Sequence, residues 1–316
     1  MNNFLMREKY VDVIIPIYNK ELYIKQLIKN ISKLKEEFFN IIIIDDGSTD
    51  NSYSLLKETI AESYNESIYL IRKKNGGVSS ARNFGLDYSN SKYVWFCDSD
   101  DDLYSKTMNS FISELVSRKK CDLLTFGYEY VKDDIVTIKN IYSDNIEEFD
   151  AINYMLNHCY FTNDNDMSTV WNKIYLGSLA RQIKFNEGLN HSEDRIFNYE
   201  FLAKARYVLR VPLVIYSYFA FNPGSLTKNT NKKKFYDIFT SDLMTVNVLK
   251  RYKNVRNECQ VSRYLFTKNI YSVCPRDCLK VYFLSSRKLG ISLFPKYKKF
   301  KTIYILTLSM FRGFYG

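Results

Sequence analysis

The chain is poor in the residues that several large function classes require. Two histidines among 316 residues, and six cysteines at 97, 121, 159, 259, 274 and 278 with no C-x-x-C pair, leave no spacing for a zinc quartet or a disulfide framework, so the thiols read as reduced and mostly buried. Glycine (11) and proline (5) are scarce, and neither an internal repeat nor a low-complexity linker is present. No apolar run approaches the roughly eighteen residues of a membrane-crossing helix, since Ile303–Phe311 is about half that length. Absent too are the phosphate-binding G-x-x-x-x-G-K-[ST] and the dinucleotide fingerprint G-x-G-x-x-G. The opening Met1-Asn-Asn-Phe-Leu-Met-Arg7 lacks a basic segment followed by a long apolar stretch, which predicts a cytoplasmic location. Acid is what the tail lacks: residues 1–225 hold 26 Lys+Arg against 31 Asp+Glu, while residues 226–316 hold 19 against 4. The formal charge of +10 therefore sits in the last ninety or so residues, where it suits an anionic surface, lipid or nucleic acid.

Hydrophobic residues make up 46% of the chain, enough for one large α/β domain with an appendage. Four apolar strand candidates succeed one another. Val11–Ile15 is expected to stop at Pro16, Asn40–Ile44 stops at Asp45-Asp46-Gly47, Ser67–Ile71 stops near Asn75-Gly76-Gly77, and Tyr93–Cys97 runs into Asp98-Ser99-Asp100-Asp101-Asp102. Leu22, Leu27, Ile28, Ile31, Leu34 and Phe38 recur at helical spacing between the first two, and Ser48-Thr49-Asp50 offers a helix cap after the second. Such alternation predicts parallel strands with right-handed crossovers, all four turns on one sheet edge, which is where open α/β sheets bind ligands.

Chemistry is concentrated in those turns. Four carboxylates within five positions repel one another unless a hard divalent cation such as Mn2+ or Mg2+ neutralises them, although a solvated acidic turn has the same pattern. Tyr18 can stack on a flat base or cap the core, and Asp46 can accept a hydrogen bond from a base N–H or serve as an ordinary helix start. In Lys73-Lys-Asn-Gly-Gly-Val-Ser-Ser-Ala-Arg-Asn-Phe-Gly85, backbone amides and Arg82 suit a diphosphate, and the plain alternative is a tight strand-to-helix turn.

In order and spacing, V-I-I-P-I-Y-N, D-D-G-S-T-D, the glycine–A-R-N-F-G segment and D-S-D-D resemble the nucleotide-sugar half of family 2 glycosyltransferases of the GT-A fold. The resemblance implies a mostly parallel Rossmann-like sheet flanked by helices, with residues 1–103 holding the donor, 104–227 the acceptor and catalytic half, and 228–316 a helical basic extension. It further implies that Tyr18 and Asp46 hold uracil, that Arg82 and Asn83 lie near the phosphates, that Asp98 and Asp100 address ribose and metal, and that Pro16, Asn19, Gly76 and Ser99 also contact the donor. Thr169-Val-Trp-Asn-Lys173 resembles the family's W-N-K segment: Trp171 stacks on a sugar or belongs to the core, and Asn172 and Lys173 bond hydroxyls or phosphates. His191-Ser-Glu-Asp194 resembles its E-D motif, which makes Asp194 the catalytic base and places His191 and Glu193 on the acceptor side. The aromatic segment 216–227 departs from the usual pattern, with Phe219 and Phe221 where polar or basic residues usually stand.

These readings converge on an inverting, metal-dependent transfer of a sugar of the Glc, Gal, GlcNAc or GalNAc type from a UDP donor. The acceptor expected is a hydroxyl of a glycan or lipid-linked oligosaccharide in surface polysaccharide synthesis. Lys296, Lys298, Lys299 and Lys301 among Leu293, Phe294, Ile303, Tyr304, Ile305 and Leu306 suit the inner face of an anionic membrane. No RNA-recognition signature accompanies them, so no nucleic-acid partner is expected. Two other readings remain: a nucleotidyl or phosphoryl transferase, which lacks its basic phosphate clamp, and a non-catalytic nucleotide-sugar or nucleic-acid binding module.

Overall fold

The computed structural model describes residues 9–115, 121–133, 135–158, 166–219, 232–249 and 251–252. Its first half follows from the sequence pattern. Strands β1 (Val11–Ile17), β2 (Phe39–Asp45), β3 (Ile68–Arg72) and β4 (Tyr93–Phe96) are joined by helices α1 (Ile24–Ile31), α2 (Ser52–Ser63) and α3 (Val78–Tyr88). β2 and β4 flank β1 in parallel, and β3 lies parallel outside β2. The isoleucine runs divide by parity, as a strand buried on both faces requires. Ile14, Ile42, Ile44 and Phe96 point into one core with Ala81 and Leu86 of α3. Val13, Ile15, Ile41, Ile43 and Trp95 point into the other with Leu27, Ile28 and Ile31 of α1 and Leu56 of α2.

Pro16 does not end its strand as expected, because β1 continues to Ile17 with Pro16 paired to Ile44. The register with β4 stops at Ile14–Phe96, and the Ile14 carbonyl accepts from the Cys97 amide on that side. Two residues on, the N–H that proline lacks faces no ladder partner, so nothing is lost.

The second half extends the same sheet. After β5 (Asp102–Leu103) and α4 (Ser105–Leu115) come β6 (Leu123–Lys132), β7 (Ile135–Lys139), β8 (Glu147–Asp150), α5 (Ala151–Asn157), β9 (Lys173–Leu176), α6 (Gly177–Ala180), α7 (Glu193–Leu202), β10 (Tyr207–Phe219) and α8 (Lys232–Leu249). The order is β3-β2-β1-β4-β9-β6-β10-β5, with β7 on β6 and β8 on β10. β9 is antiparallel to both β4 and β6, so strands from both sides of residue 103 share one curled sheet. The whole is a mixed α/β fold of GT-A type.

Cys97 and Cys121 are buried free thiols. The other four cysteines, the 220–227 segment and the basic stretch 293–306 lie outside the described residues. Among the described residues no helix is long and apolar enough to cross a membrane.

Candidate active site

The strand order reverses at β1: β2 and β3 lead away on one side and β4 on the other. Residues following β1 and β4 therefore border the crevice that opens at such a switch point. After β1, Tyr18 stands 46% exposed. Asn19, at φ 52°, is occupied structurally, its Oδ1 accepting from the Thr49 and Asp50 amides at 2.8 and 3.4 Å. Lys20 extends its ammonium to Asp100 Oδ2 at 2.6 Å.

The Asp46 carboxylate organises the next loop. It accepts from the amides of Gly76 (3.0 Å) and Gly77 (2.7 Å) and from Lys73 Nζ at 2.6 Å. A glycine is needed at position 77, where φ is 87°, and this turn launches α3 with Arg82 on its second turn.

Arg82 is the hub. Its guanidinium is only 3% exposed, and it donates from Nη2 to Asp98 at 3.0 Å and from Nη1 to Glu193 at 3.2 Å and Asp194 at 2.6 Å. The Phe185 ring lies 5.3 Å from the guanidinium carbon. One planar fork thus joins residues more than a hundred positions apart, a geometry for which a lysine has too few fixed donors. Three carboxylates around one guanidinium leave the group negative. Burial, with Glu193 and Asp98 nearby, pushes the Asp194 carboxyl up to about 8, against the opposing pull of Arg82 and Lys173. The same three acids hold the Arg82 pKa above its ordinary value, although burial alone would lower it.

The acidic run expected to form one metal cluster is dispersed. Asp101 is buried and accepts from the Tyr216 hydroxyl at 2.9 Å and the Phe219 amide at 3.1 Å. Burial raises its pKa well above the carboxylate range, and Asp98 and Asp100 add to the effect. Asp102 turns to α1, accepting from Asn30 Nδ2 at 2.6 Å. Among the described residues no group of three or more His, Cys, Asp or Glu side chains is arranged to hold a metal ion. Asp98 and Asp100 stay accessible, with side chains 30% and 17% exposed. Two hard carboxylates fit a small divalent cation whose other positions go to water and phosphate oxygens, which is how magnesium is commonly held.

Several residues of the family motifs are scaffold instead. Asn83 uses its whole amide on the chain leading to α7, donating to the Phe185 carbonyl at 3.0 Å and Glu187 Oε1 at 2.9 Å and accepting from the Phe185 amide at 2.7 Å. Trp171 is 4% exposed and stacks on Tyr216 and Tyr218 at 4.6 and 5.3 Å, so its faces are taken. Asn172 and Lys173 are fully buried. Lys173 Nζ pairs with Asp166 at 3.0 Å and Asn172 Oδ1 at 2.9 Å, far too enclosed to bond a sugar hydroxyl. Ser99 is buried, and His191, half-buried, has its pKa lowered by burial and by Lys234. Lys20 and Lys73, which pair with Asp100 and Asp46, carried no signal beyond lying next to motif residues.

Comparison with known proteins bears on the first half of the chain and on the fold. Residues 12–163 match the profile "Glycosyl transferase family 2". A 91-residue stretch is 46% identical to the minor teichoic acid biosynthesis protein GgaB of Bacillus subtilis (strain 168), covering 28% of this chain and 10% of that protein. Over 228 residues the chain is 27% identical to the glycosyltransferase GlyA of Streptococcus pneumoniae serotype 4, covering 71% of this chain and 32% of the relative. The chain thus spans a third or less of the length of these two relatives. In fold it is similar to S. aureus TarS 1-349 in complex with UDP-GlcNAc, with a TM-score of 0.63 and 21% identity over 85% of this chain and 74% of that one. Residues 12–163, just under half of the chain, thus resemble glycosyltransferase family 2, with motif order and fold in agreement.

Proposed function

We propose that the chain transfers a sugar from a UDP-sugar to a hydroxyl of a cell-surface glycan or polymer, with inversion, and that Asp194 is the general base. The observation that carries this is the convergence of Asp98, Glu193 and Asp194 on Arg82 at the switch-point edge. A base works best with a pKa near the working pH, and burial moves Asp194 in that direction. Deprotonated, it removes the acceptor hydroxyl proton as that oxygen attacks the anomeric carbon, and a single displacement inverts the centre without a protein nucleophile. Tyr18, exposed beside the Asp46 loop, offers its ring to the uracil. Arg82 is taken up by Asp98, Glu193 and Asp194, and the Gly76–Gly77 amides by Asp46, so the positive charge for the diphosphate falls to Lys20.

Asp98 and Asp100 would hold Mn2+ or Mg2+, which when bound neutralises charge developing on the departing diphosphate. For Asp100 to serve, Lys20 must leave it, and the freed ammonium becomes a further partner for phosphate oxygens. The complex of TarS with UDP-GlcNAc and the teichoic acid relative support a UDP-N-acetylhexosamine donor and an anionic wall or surface polymer as acceptor. Residues 1–103 serve the donor, 104–227 the acceptor and the base, and the basic stretch 228–316 keeps the enzyme at the inner face of an anionic membrane.

The test is UDP release and product formation with UDP-Glc, UDP-Gal, UDP-GlcNAc and UDP-GalNAc, with and without Mn2+, for wild type and Asp194→Asn. Release by wild type that drops with Asp194→Asn while donor binding persists is the expected result. Equal turnover by both proteins would remove Asp194 from the chemistry.

A further inference from the structure

Helix α7 starts in an unusual way. A serine preceding Glu193-Asp194 reads as an N-cap, whose backbone is normally extended and whose hydroxyl binds the first-turn amides. Ser192 instead sits at φ 64° and ψ 19° and makes no capping bond with its side chain. A residue with a Cβ enters this left-handed region only when its surroundings impose it.

The surroundings are on α8, beyond the residues that match the family profile. The Ser241 hydroxyl donates to the Ser192 carbonyl at 3.1 Å and accepts from Arg195 Nε at 3.1 Å. Arg195 Nη2 donates to the Ile238 carbonyl at 3.3 Å. One turn nearer the start of α8, Asp237 Oδ2 accepts from the Asn190 amide at 3.0 Å. Ser241, Arg195 and Asp237 are all buried. The 190–195 turn is thus gripped at both ends by α8 while Glu193 and Asp194 project the other way to Arg82.

We propose that Ser241 and Asp237 are positioning residues for the Glu193–Asp194 pair: from α8 they hold the Asn190–Ser192 turn in the left-handed conformation that aims the pair at Arg82. The proposal rests on the reading of Asp194 as the base. It also gives α8 a task in catalysis. Misplacing a base by about an ångström is enough to cost turnover heavily while the donor, held by the other half of the edge, binds as before.

The experiment uses the full chain with Ser241→Ala, Asp237→Ala and Ser192→Gly, alone and combined. For Ser241→Ala the expected result is a fall in kcat of about 10-fold or more, with donor KM within about twofold and faster amide hydrogen exchange across residues 190–194. Adding Ser192→Gly should restore most of the turnover, because glycine adopts the left-handed backbone without being held there, and Ser241→Thr, which keeps the hydroxyl, should behave as wild type. Wild-type kcat and unchanged exchange in Ser241→Ala would overturn the proposal, as would a loss of kcat that Ser192→Gly does not relieve. Should Ser241→Ala fail to fold, Asp237→Ala carries the same expectations. Amide exchange needs no turnover, so a chain inactive toward every donor would count against the proposed function alone, while the exchange result would still decide the brace.

Discussion

At the scale of single residues, identity and role separate. The order of the motifs singles out Tyr18, Asp46, Arg82, Asp98 and Asp194: Tyr18, Asp46 and Asp98 follow the ends of β1, β2 and β4, and Arg82 joins Asp98 to Asp194. Asn83, Asn172 and Lys173 stand in the same motifs, yet their polar atoms are consumed within the protein. A one-dimensional pattern shows which side chains recur together, and only packing shows whether each faces a ligand or its neighbours. For Asp194 the environment gives a sign. Its folded-state pKa is raised by burial, Glu193 and Asp98, so kcat/KM for the free enzyme should rise with pH through the neighbourhood of 8 and be low in acid. Facing it are Arg82 from α3, Glu193 from α7, Asp98 after β4 and Lys173 from β9. Because the folded protein holds this proton longer than the unfolded chain, the stability it contributes is present below the ordinary carboxylate range and is lost as pH rises through the raised value. Asp194→Asn should therefore lose the rising limb of the rate profile, with turnover down by about 10²–10⁴-fold. Its melting temperature relative to wild type should increase from pH 5 to pH 8. A limb surviving in the variant would assign it to another group. Arg82→Lys should keep the charge but not the fork, lowering turnover by at least about 10-fold, and Arg82→Ala should cost up to about 3–5 kcal/mol of stability by leaving three partly buried carboxylates without their cation. Denaturant melts would check the second figure.

At the scale of elements, legibility followed periodicity. The parallel half could be read because each strand is a short apolar run closed by a turn, and its crossovers are helices with a visible stripe. Past β6 these cues fail for physical reasons. β7 is exposed along its whole length, so burial imposes no alternation on it. β10 pairs with β6 through register shifts between Val211 and Val214 and between Val214 and Ser217, around Pro212, so a strand of thirteen residues looks broken in sequence. The glycine closing the A-R-N-F-G segment shows what the elements demand of one another. A Cβ on Gly85 would lie 2.4 Å from Ile14 Cγ2, so α3 lies against β1 only because that atom is missing. Gly85→Ala gains up to about 1 kcal/mol of helix propensity but overpacks a buried contact at about 1–3 kcal/mol. The expected outcome is a net loss of stability with α3 displaced from β1, read as a lower urea midpoint at unchanged m-value. Because Arg82 rides on the same helix, turnover should fall in step.

At the scale of the whole molecule, charge is divided as the chemistry would want it. The first 225 residues are mildly acidic and contain the residues proposed for the donor, while the last ninety or so carry the excess of 19 basic over 4 acidic residues. Under the proposed function an acceptor polymer rich in phosphate, or a lipid-linked one, would approach from the membrane, and a basic extension would hold the catalytic sheet where that acceptor is found. Each Lys or Arg near an anionic leaflet contributes about 1 kcal/mol, and one apolar insertion such as Phe294 adds to it without fixing the protein permanently. Co-sedimentation should therefore be strong with vesicles containing anionic lipid, weak with neutral ones, and reduced by salt, since exposed charges are screened within roughly 8–10 Å at ordinary ionic strength. Ending the chain before Lys296 should release it from vesicles and leave UDP release from the free donor intact, because the residues assigned to the donor lie between Pro16 and Asp100. Equal binding to neutral and anionic vesicles, or retention by RNA instead of lipid, would take the tail away from the membrane. Loss of donor turnover on truncation would show instead that the extension supports the sheet edge itself.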